Sequence, residues 1–200
     1  MKILVGMSGG VDSSVTAVML KKQGYEVVGA TMAIWGKDGV YKEIQEKAKT
    51  LGKHSHGACF GPSEHEDIES ARKFAKEIGI DFHVFDCAKQ YEEIVLKNFK
   101  SEYLSGRTPN PCVWCNSLIK FDLLPHLARV NGIEFDKFAT GHYARVEQGE
   151  NRYLLKKRTW RKERPIILFI QIKTIKLANL EQVFGQQLKL QKDQKIKIKQ

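Results

Sequence analysis

No stretch of the 200-residue chain approaches the roughly 18 uncharged apolar residues that a membrane-crossing helix needs. The apolar run Pro165 to Ile170 is far too short, and the opening MKILVGM is not a secretory leader. Gly9, Gly10, Asp12, Ser13 and Ser14 follow it at once, before an apolar region can develop. A cytoplasmic protein without a membrane partner is expected. Cysteine is scarce, with four in the chain, and in that compartment four thiols point to metal binding or catalysis rather than a disulfide scaffold. Acid is scarce only locally. Residues 158–200 carry 11 Lys/Arg against 3 Asp/Glu, leaving 22 against 20 in residues 1–157. The net charge of +10 therefore belongs mainly to the last segment and supports nucleic-acid binding only weakly. There is also no internal repeat and no P-loop lysine.

What is present alternates between strand and helix. Residues 2–7 form a short apolar run with no charge after Lys2, as a buried parallel strand requires. A glycine turn follows, then Val15, Val18, Met19 and Leu20 at helical spacing, and Gly24 as a stop. Val27 to Ile34 reads as a second strand, and residues 37–63 as a long loop with one short helix over Val40–Leu51. The spacing of Ile68, Ala71, Phe74, Ala75 and Ile78 predicts an amphipathic helix over Glu66–Ile78. Phe82–Phe85 is a third strand, Tyr91–Leu104 a helix, and Pro109 and Pro111 break it around Asn110. Leu118–Val130 is a further helix and Phe135–Thr140 a fourth strand. The pattern predicts an α/β fold, a parallel sheet with helices on both faces in the Rossmann manner. Ligands of such sheets bind at the carboxyl ends of the strands, where Ser8, Ala33 to Trp35, Asp86-Cys87 and Gly141-His142 lie.

The turn after the first strand reads Ser8-Gly9-Gly10-Val11-Asp12-Ser13. Two consecutive glycines let backbone N–H groups approach an anion, and the following helix aims its positive end at the same place. The turn resembles the SGGxDS loop of the ATP pyrophosphatases of the PP-loop type, which cleave ATP between its α and β phosphates. That resemblance implies ATP binding by Gly6, Met7, Ser8, Gly9, Gly10, Val11, Asp12 and Ser13, with Asp12 near the pyrophosphate and its Mg²⁺.

A second segment, Gly106-Arg-Thr-Pro-Asn-Pro-Cys-Val-Trp-Cys-Asn116 with Ile119-Lys-Phe121, and a third, Ala139-Thr-Gly-His-Tyr-Ala-Arg145, narrow the class. In order and content, residues 1–157 closely resemble the tRNA-specific 2-thiouridylases of the MnmA family. The resemblance implies adenylation of the 2-oxygen of a tRNA wobble uridine (position 34, in Glu, Gln and Lys-type tRNAs), then sulfur transfer. Cys115 would be the nucleophile, charged with a persulfide by a sulfur-donor protein. Asn110, Pro111 and Cys112 would sit against the target base, Met32 would meet adenine through its backbone, and Gly141 would complete the nucleotide pocket. The chemistry is coherent: adenylation turns a poor leaving group into a good one, and a low-pKa sulfur then attacks C2. The Pro109–Pro111 bracket would hold the cysteine loop in one shape for that attack.

Position 112 departs from a common family pattern, which has Asp there. Cys112-x-x-Cys115 has the spacing of iron–sulfur and zinc sites when further cysteines complete them. An iron–sulfur cluster on Cys112 and Cys115 is therefore an open alternative. Its third cysteine, like the family's second catalytic one, would lie beyond residue 157, and no cysteine follows Cys115 here. Cys59, with His54 and His56, reads more readily as a loop cysteine beside solvated histidines than as a metal site. Cys87 reads as a small buried hydrophobe, and His83 as the less apolar face of its strand. Arg107 and Lys120 flank the cysteines, as tRNA phosphate contacts or as plain solvated charges.

Two rivals stand beside thiolation: an adenylating domain with another acceptor, such as an amidating synthetase, and a module that only binds ATP. The segment after residue 157 sharpens the second rival. Ile, Lys and Gln dominate it, and the family's Lys-Asp-Gln-Ser-Tyr tRNA segment is missing. Glu163-Arg-Pro-Ile-Ile-Leu168 can be encoded GAA AGA CCA ATC ATA TTA, which one nucleotide later reads Lys-Asp-Gln-Ser-Tyr. Residues 158–200 are accordingly expected to be out of frame and disordered or loosely helical, and residues 1–157 to be the ATP-pyrophosphatase domain.

Overall fold

The computed structural model describes residues 1–36, 40–50, 60–142, 145–148, 153–156 and 168–170. The first strand, β1 (Lys2–Gly6), leads into helix α1 (Val11–Lys22), and β2 (Glu26–Ala33) follows. Two helices, α2 (Val40–Thr50) and α3 (Glu64–Glu77), precede β3 (Asp81–Asp86). Two long helices come next, α4 over residues 88–104 and α5 over residues 111–130. Each contains wide π-type turns, at Glu92–Leu96 and Cys115–Leu123 respectively. The chain then forms β4 (Lys137–Thr140), a hairpin of β5 (Arg145–Gln148) and β6 (Tyr153–Lys156), and β7 (Leu168–Ile170). Among the described residues, no helix is long and apolar enough to cross a membrane.

The sheet order is β3-β2-β1-β4-β7, with the first four strands parallel and β7 antiparallel to β4. Its strands carry the two-sided apolar pattern of a sheet covered on both faces. Ile3, Val5 and Met7 point to one face, where they meet Ala17 and Leu20 of α1 and Ala71 and Ala75 of α3. Leu4, Val28, Ala30 and Phe138 point to the other, against Tyr91 and Val95 of α4 and Cys115, Ile119 and Leu124 of α5. The chain thus winds outward from β1 to β3 on one face, then crosses over β1 to β4 on the other. The reversal leaves a crevice between the carboxyl ends of β1 and β4, the usual ligand position in such sheets. The expected parallel α/β fold with helices on both faces is the one observed.

One expectation needs correction. The cysteines do not sit in a loop before a helix starting at Leu118, because α5 begins at Pro111. Proline at the first helical position has φ already set and lacks only an N–H that would be unpaired there anyway. Pro111 therefore starts the helix rather than extending the break, with extended Asn110 (φ −122°, ψ 89°) before it. Within residues 158–200, three residues form the strand β7. Leu168, Phe169 and Ile170 pair with Thr140, Ala139 and Phe138 at the sheet edge. The rest of residues 158–200 lies outside the described residues.

Candidate active site

The glycine turn is built around Ser13, which is buried. β1 ends where Met7 N–H donates to Ala30 O at 2.8 Å. The chain then turns away, and Ser8 N–H donates to Ser13 Oγ at 3.2 Å while Ser13 Oγ–H donates to Gly10 O at 3.0 Å. Gly9 is required twice over. Its φ is +76°, and a Cβ there would stand 2.4 Å from the carbonyl oxygen of Asp67 in α3. Gly10 precedes α1, whose first amides have no intrahelical partners and face the turn together with the positive end of the helix. Asp12 is exposed in that first turn.

The opposite wall comes from β4. A Cβ on Gly141 would lie 2.7 Å from the carbonyl carbon of Asp12 and 2.8 Å from the amide nitrogen of Ser13. Only a glycine lets the end of β4 pack on that peptide and close the crevice behind the turn. Beside it, buried Thr140 places its hydroxyl 2.7 Å from His142 Nδ1, and Phe121 lies 5.5 Å from the imidazole ring. Burial and then the charge of Lys120 hold the His142 imidazole down at about 4, so it is neutral at neutral pH.

The end of β2 forms the third wall. Ala30 O faces β1 and Ala33 O faces β3, where it accepts from Cys87 N–H at 2.7 Å. By strand alternation the N–H and C=O of Met32 face the β1 side. β1 has already ended there, its last pairing being Gly6 with Ala30. Met32 thus offers one donor and one acceptor to a cleft of about 320 Å³ lined by Gly6, Ser8, Gly10, Glu64 and Lys120 among others. A larger depression of about 590 Å³ lies between α1 and α3. It shares Gly9, Gly10 and Val11 with the turn but not Gly6, Met7, Ser8 or Met32, and is mostly walled by helix side chains such as Val15, Val18 and Phe74, so the smaller cleft is the better nucleotide candidate.

The cysteines are unequal. Cys112 is exposed at the start of α5, whereas Cys115 is 8% exposed and Cys87, at the end of β3, is fully buried. Burial first, then Asp86, Cys115 and Glu64, push the Cys87 thiol up to about 12. Cys87 is thus a protonated core residue, as expected from sequence. Among the described residues, no group of three His, Cys, Asp or Glu is placed to hold a metal ion. Cys112 and Cys115 alone do not complete a cluster.

Two comparisons with known proteins agree with these features. The chain matches the tRNA methyl transferase HUP domain family over residues 1–198. It belongs to that family. It is 49% identical over 159 residues to the tRNA-specific 2-thiouridylase MnmA of Endomicrobium trichonymphae, an alignment covering 78% of this chain and 41% of the relative. The corresponding protein of Clostridium botulinum (strain Alaska E43 / Type E3) is 47% identical, with 77% and 38% covered. The chain thus spans about two fifths of the length of these curated relatives. A fainter likeness, TM-score 0.40 at 21% identity, links 71% of the chain to 38% of the U34-tRNA thiolase NcsA from Methanococcus maripaludis with its [4Fe-4S] cluster.

Within this HUP-domain chain, Gly6, Met7, Ser8, Gly10 and Met32 line one cleft, Gly141 packs on the Asp12–Ser13 peptide, and Gly9 and Val11 border the depression between α1 and α3. Asn110 and Cys112 are exposed and Pro111 half-buried at the start of α5, whose Lys120 reaches the same cleft. Arg107 is engaged by Glu102, with Nε to Oε2 at 2.6 Å and Nη2 to Oε1 at 2.8 Å. His83 is exposed on the edge strand. Cys59, His54 and His56 lie outside the described residues. Sequence reasoning gave no role to Glu64 or Thr140. Glu64 follows Ser63 at the start of an acidic helical turn, which marks a helix N-terminus but not the strand that its side chain meets.

Proposed function

We propose that this chain carries the adenylating, cysteine-bearing part of a tRNA 2-thiouridine synthase that uses ATP and Mg²⁺. The observation carrying this reading is the close packing of Gly141 on the Asp12–Ser13 peptide, behind a turn built for an anion and beside the open edge of Met32. That arrangement suits a nucleotide with its adenine on β2 and its phosphates on the turn. The similarity to 2-thiouridylases supports the acceptor, a wobble uridine of tRNA.

In this reading the uridine 2-oxygen attacks the α-phosphorus, pyrophosphate departs, and the ring loses its N3 proton. A persulfide on Cys115, supplied by a donor protein, attacks C2 and expels AMP. A second thiol then attacks the inner sulfur, leaving 2-thiouridine and a disulfide, so the sulfane sulfur is reduced by the two thiols. The amides of the turn and Lys120 would hold the phosphates. Asp12 would hold Mg²⁺, which supplies charge neutralisation at the departing pyrophosphate. Two thiols on α5 do not fit a cluster by themselves, and no step here runs through one.

Asp12→Ala is expected to abolish adenylation, since Asp12 is the turn's only carboxylate. Cys115→Ser should keep ATP binding while ending sulfur transfer, because a hydroxyl cannot carry a persulfide. Calorimetric ATP titration and mass spectrometry of tRNA nucleosides read the two separately. Retained 2-thiouridine in the serine variant removes Cys115 from the mechanism. The near-complete burial of Cys115 favours one second reading, a domain that binds ATP without thiolating. Normal ATP binding with no thiouridine from the unaltered chain would select it.

A further inference from the structure

Glu64 stands at the start of α3, yet its carboxylate reaches across to the end of β2. Oε1 accepts the N–H of Ile34 at 2.8 Å and Oε2 the N–H of Trp35 at 3.0 Å. The side chain is half-buried, and it lines the same cleft as Met32 and the glycine turn. Ile34 N–H points to the side that β1 vacated, as Met32 does two residues earlier. Glu64 therefore stands where the next residues of β1 would have continued the ladder. It satisfies position 34 and leaves position 32 as the unpaired stretch of that edge.

A carboxylate here is costly on two counts. Burial raises its protonation range, only partly offset by the two amide hydrogen bonds from Ile34 and Trp35, and Asp86 and Asp67 add to that rise. It also adds negative charge to a cleft read as a phosphate site. A group that only filled space would serve better as a neutral one.

We propose that Glu64 is the positioning residue for adenine recognition, its two hydrogen bonds to Ile34 and Trp35 holding the end of β2 so that Met32 N–H and C=O present a fixed donor–acceptor pair to the base. The inference rests on the nucleotide reading above. A donor beside an acceptor matches the N1 and N6 edge of adenine and mismatches the O6 and N1–H edge of guanine. If β2 frayed beyond Thr31, that selection would go, while the turn that holds phosphates would remain.

Affinities of the whole chain for ATP, GTP and inorganic pyrophosphate, in the unaltered protein, Glu64→Ala and Glu64→Gln, test this. Glu64→Ala should lower ATP affinity at least about tenfold, leave pyrophosphate affinity undiminished and erase the preference for ATP over GTP. Glu64→Gln keeps the size but only one acceptor, so it should fall between, and it serves if the alanine variant does not fold. Unchanged ATP affinity and selectivity in the folded variants would overturn the proposal. So would tighter binding of ATP and pyrophosphate together, the mark of a mere repelling charge, or an equal loss of both, the mark of general disruption. An unaltered chain that binds no ATP would instead overturn the nucleotide reading, and this inference with it.

Discussion

The nucleotide side and the cysteine side of the crevice are built on opposite principles. On the nucleotide side, backbone meets backbone: Gly9 lies against Asp67 O and Gly141 against the Asp12–Ser13 peptide, each too close for any side chain. On the cysteine side, function hangs on side chains of one helix, with Cys112 in solvent and Cys115 one turn on in the core. Backbone walls are fixed by the fold and cannot be tuned without breaking it. Exposed side chains on α5, Cys112 among them, can be exchanged at modest cost because they pack against nothing.

The largest effect should follow from breaking a wall. Gly141→Ala sets a methyl 2.7 Å from a backbone carbon, so β4 or the turn must shift. A stability loss of about 1–3 kcal/mol is expected from such overpacking, with ATP affinity falling more than about tenfold as the turn is displaced. Gly24→Ala is the matched control. Its φ of +85° brings strain, but nothing lies within 4 Å. It should cost about 1 kcal/mol and leave nucleotide affinity unchanged. Equal affinities in the two variants would show that close backbone packing does not define the site.

These two sides were not equally legible in the sequence. The strand–glycine turn–helix unit could be read directly, because doubled glycine after an apolar run has few other uses. Met32 and Gly141 are legible only through family resemblance, and the fold supplies their physical reasons: strand alternation past the end of β1, and a contact closed to any Cβ. The start of α5 was misplaced because proline was treated as a breaker when it stood at the first helical position, where it favours a helix. Glu64 was missed for a different reason. Its partners are 30 and 29 residues away, and nothing local marks a carboxylate that caps a distant strand. The burial of Cys115 was equally hidden, since it depends on how α5 packs against the sheet.

The cysteine side can be probed by alkylation. Cys112 is exposed and Cys87 is buried with its thiol pushed up to about 12, so far less of Cys87 is thiolate at neutral pH. Peptide mapping after iodoacetamide treatment should show Cys112 modified at least about a hundredfold faster than Cys87, with Cys115 between them. Cys87 should react only as the protein unfolds. If Cys115 reacted as fast as Cys112, the contrast between the two thiols would disappear, and with it the case for the binding-only reading.

The smallest expected effect concerns acid, and it joins the two sides, because His142 follows Gly141 and faces α5. Its imidazole titrates near 4 in the folded chain, through burial and then Lys120, against an ordinary 6.5. Above pH 6.5 the ring is neutral whether the chain is folded or not, and it adds no pH dependence. As pH falls below 6.5, the unfolded chain takes up this proton and the folded chain does not, so stability declines until about pH 4. Full transmission would be about 1.4 kcal/mol per pH unit, and partial solvent access reduces the total to an expected 1–2 kcal/mol, on the order of one strong hydrogen bond. Glu64 works in the opposite direction, since its raised range means that the folded chain protonates it first. The His142 contribution must therefore be isolated as a difference. Denaturant unfolding of the unaltered chain and His142→Asn, each at pH 7.5 and pH 5, should show the unaltered chain losing more stability than the variant on acidification. Parallel losses in the two proteins would mean that the ring is solvated, and that the closure of β4 against the turn stops short of His142.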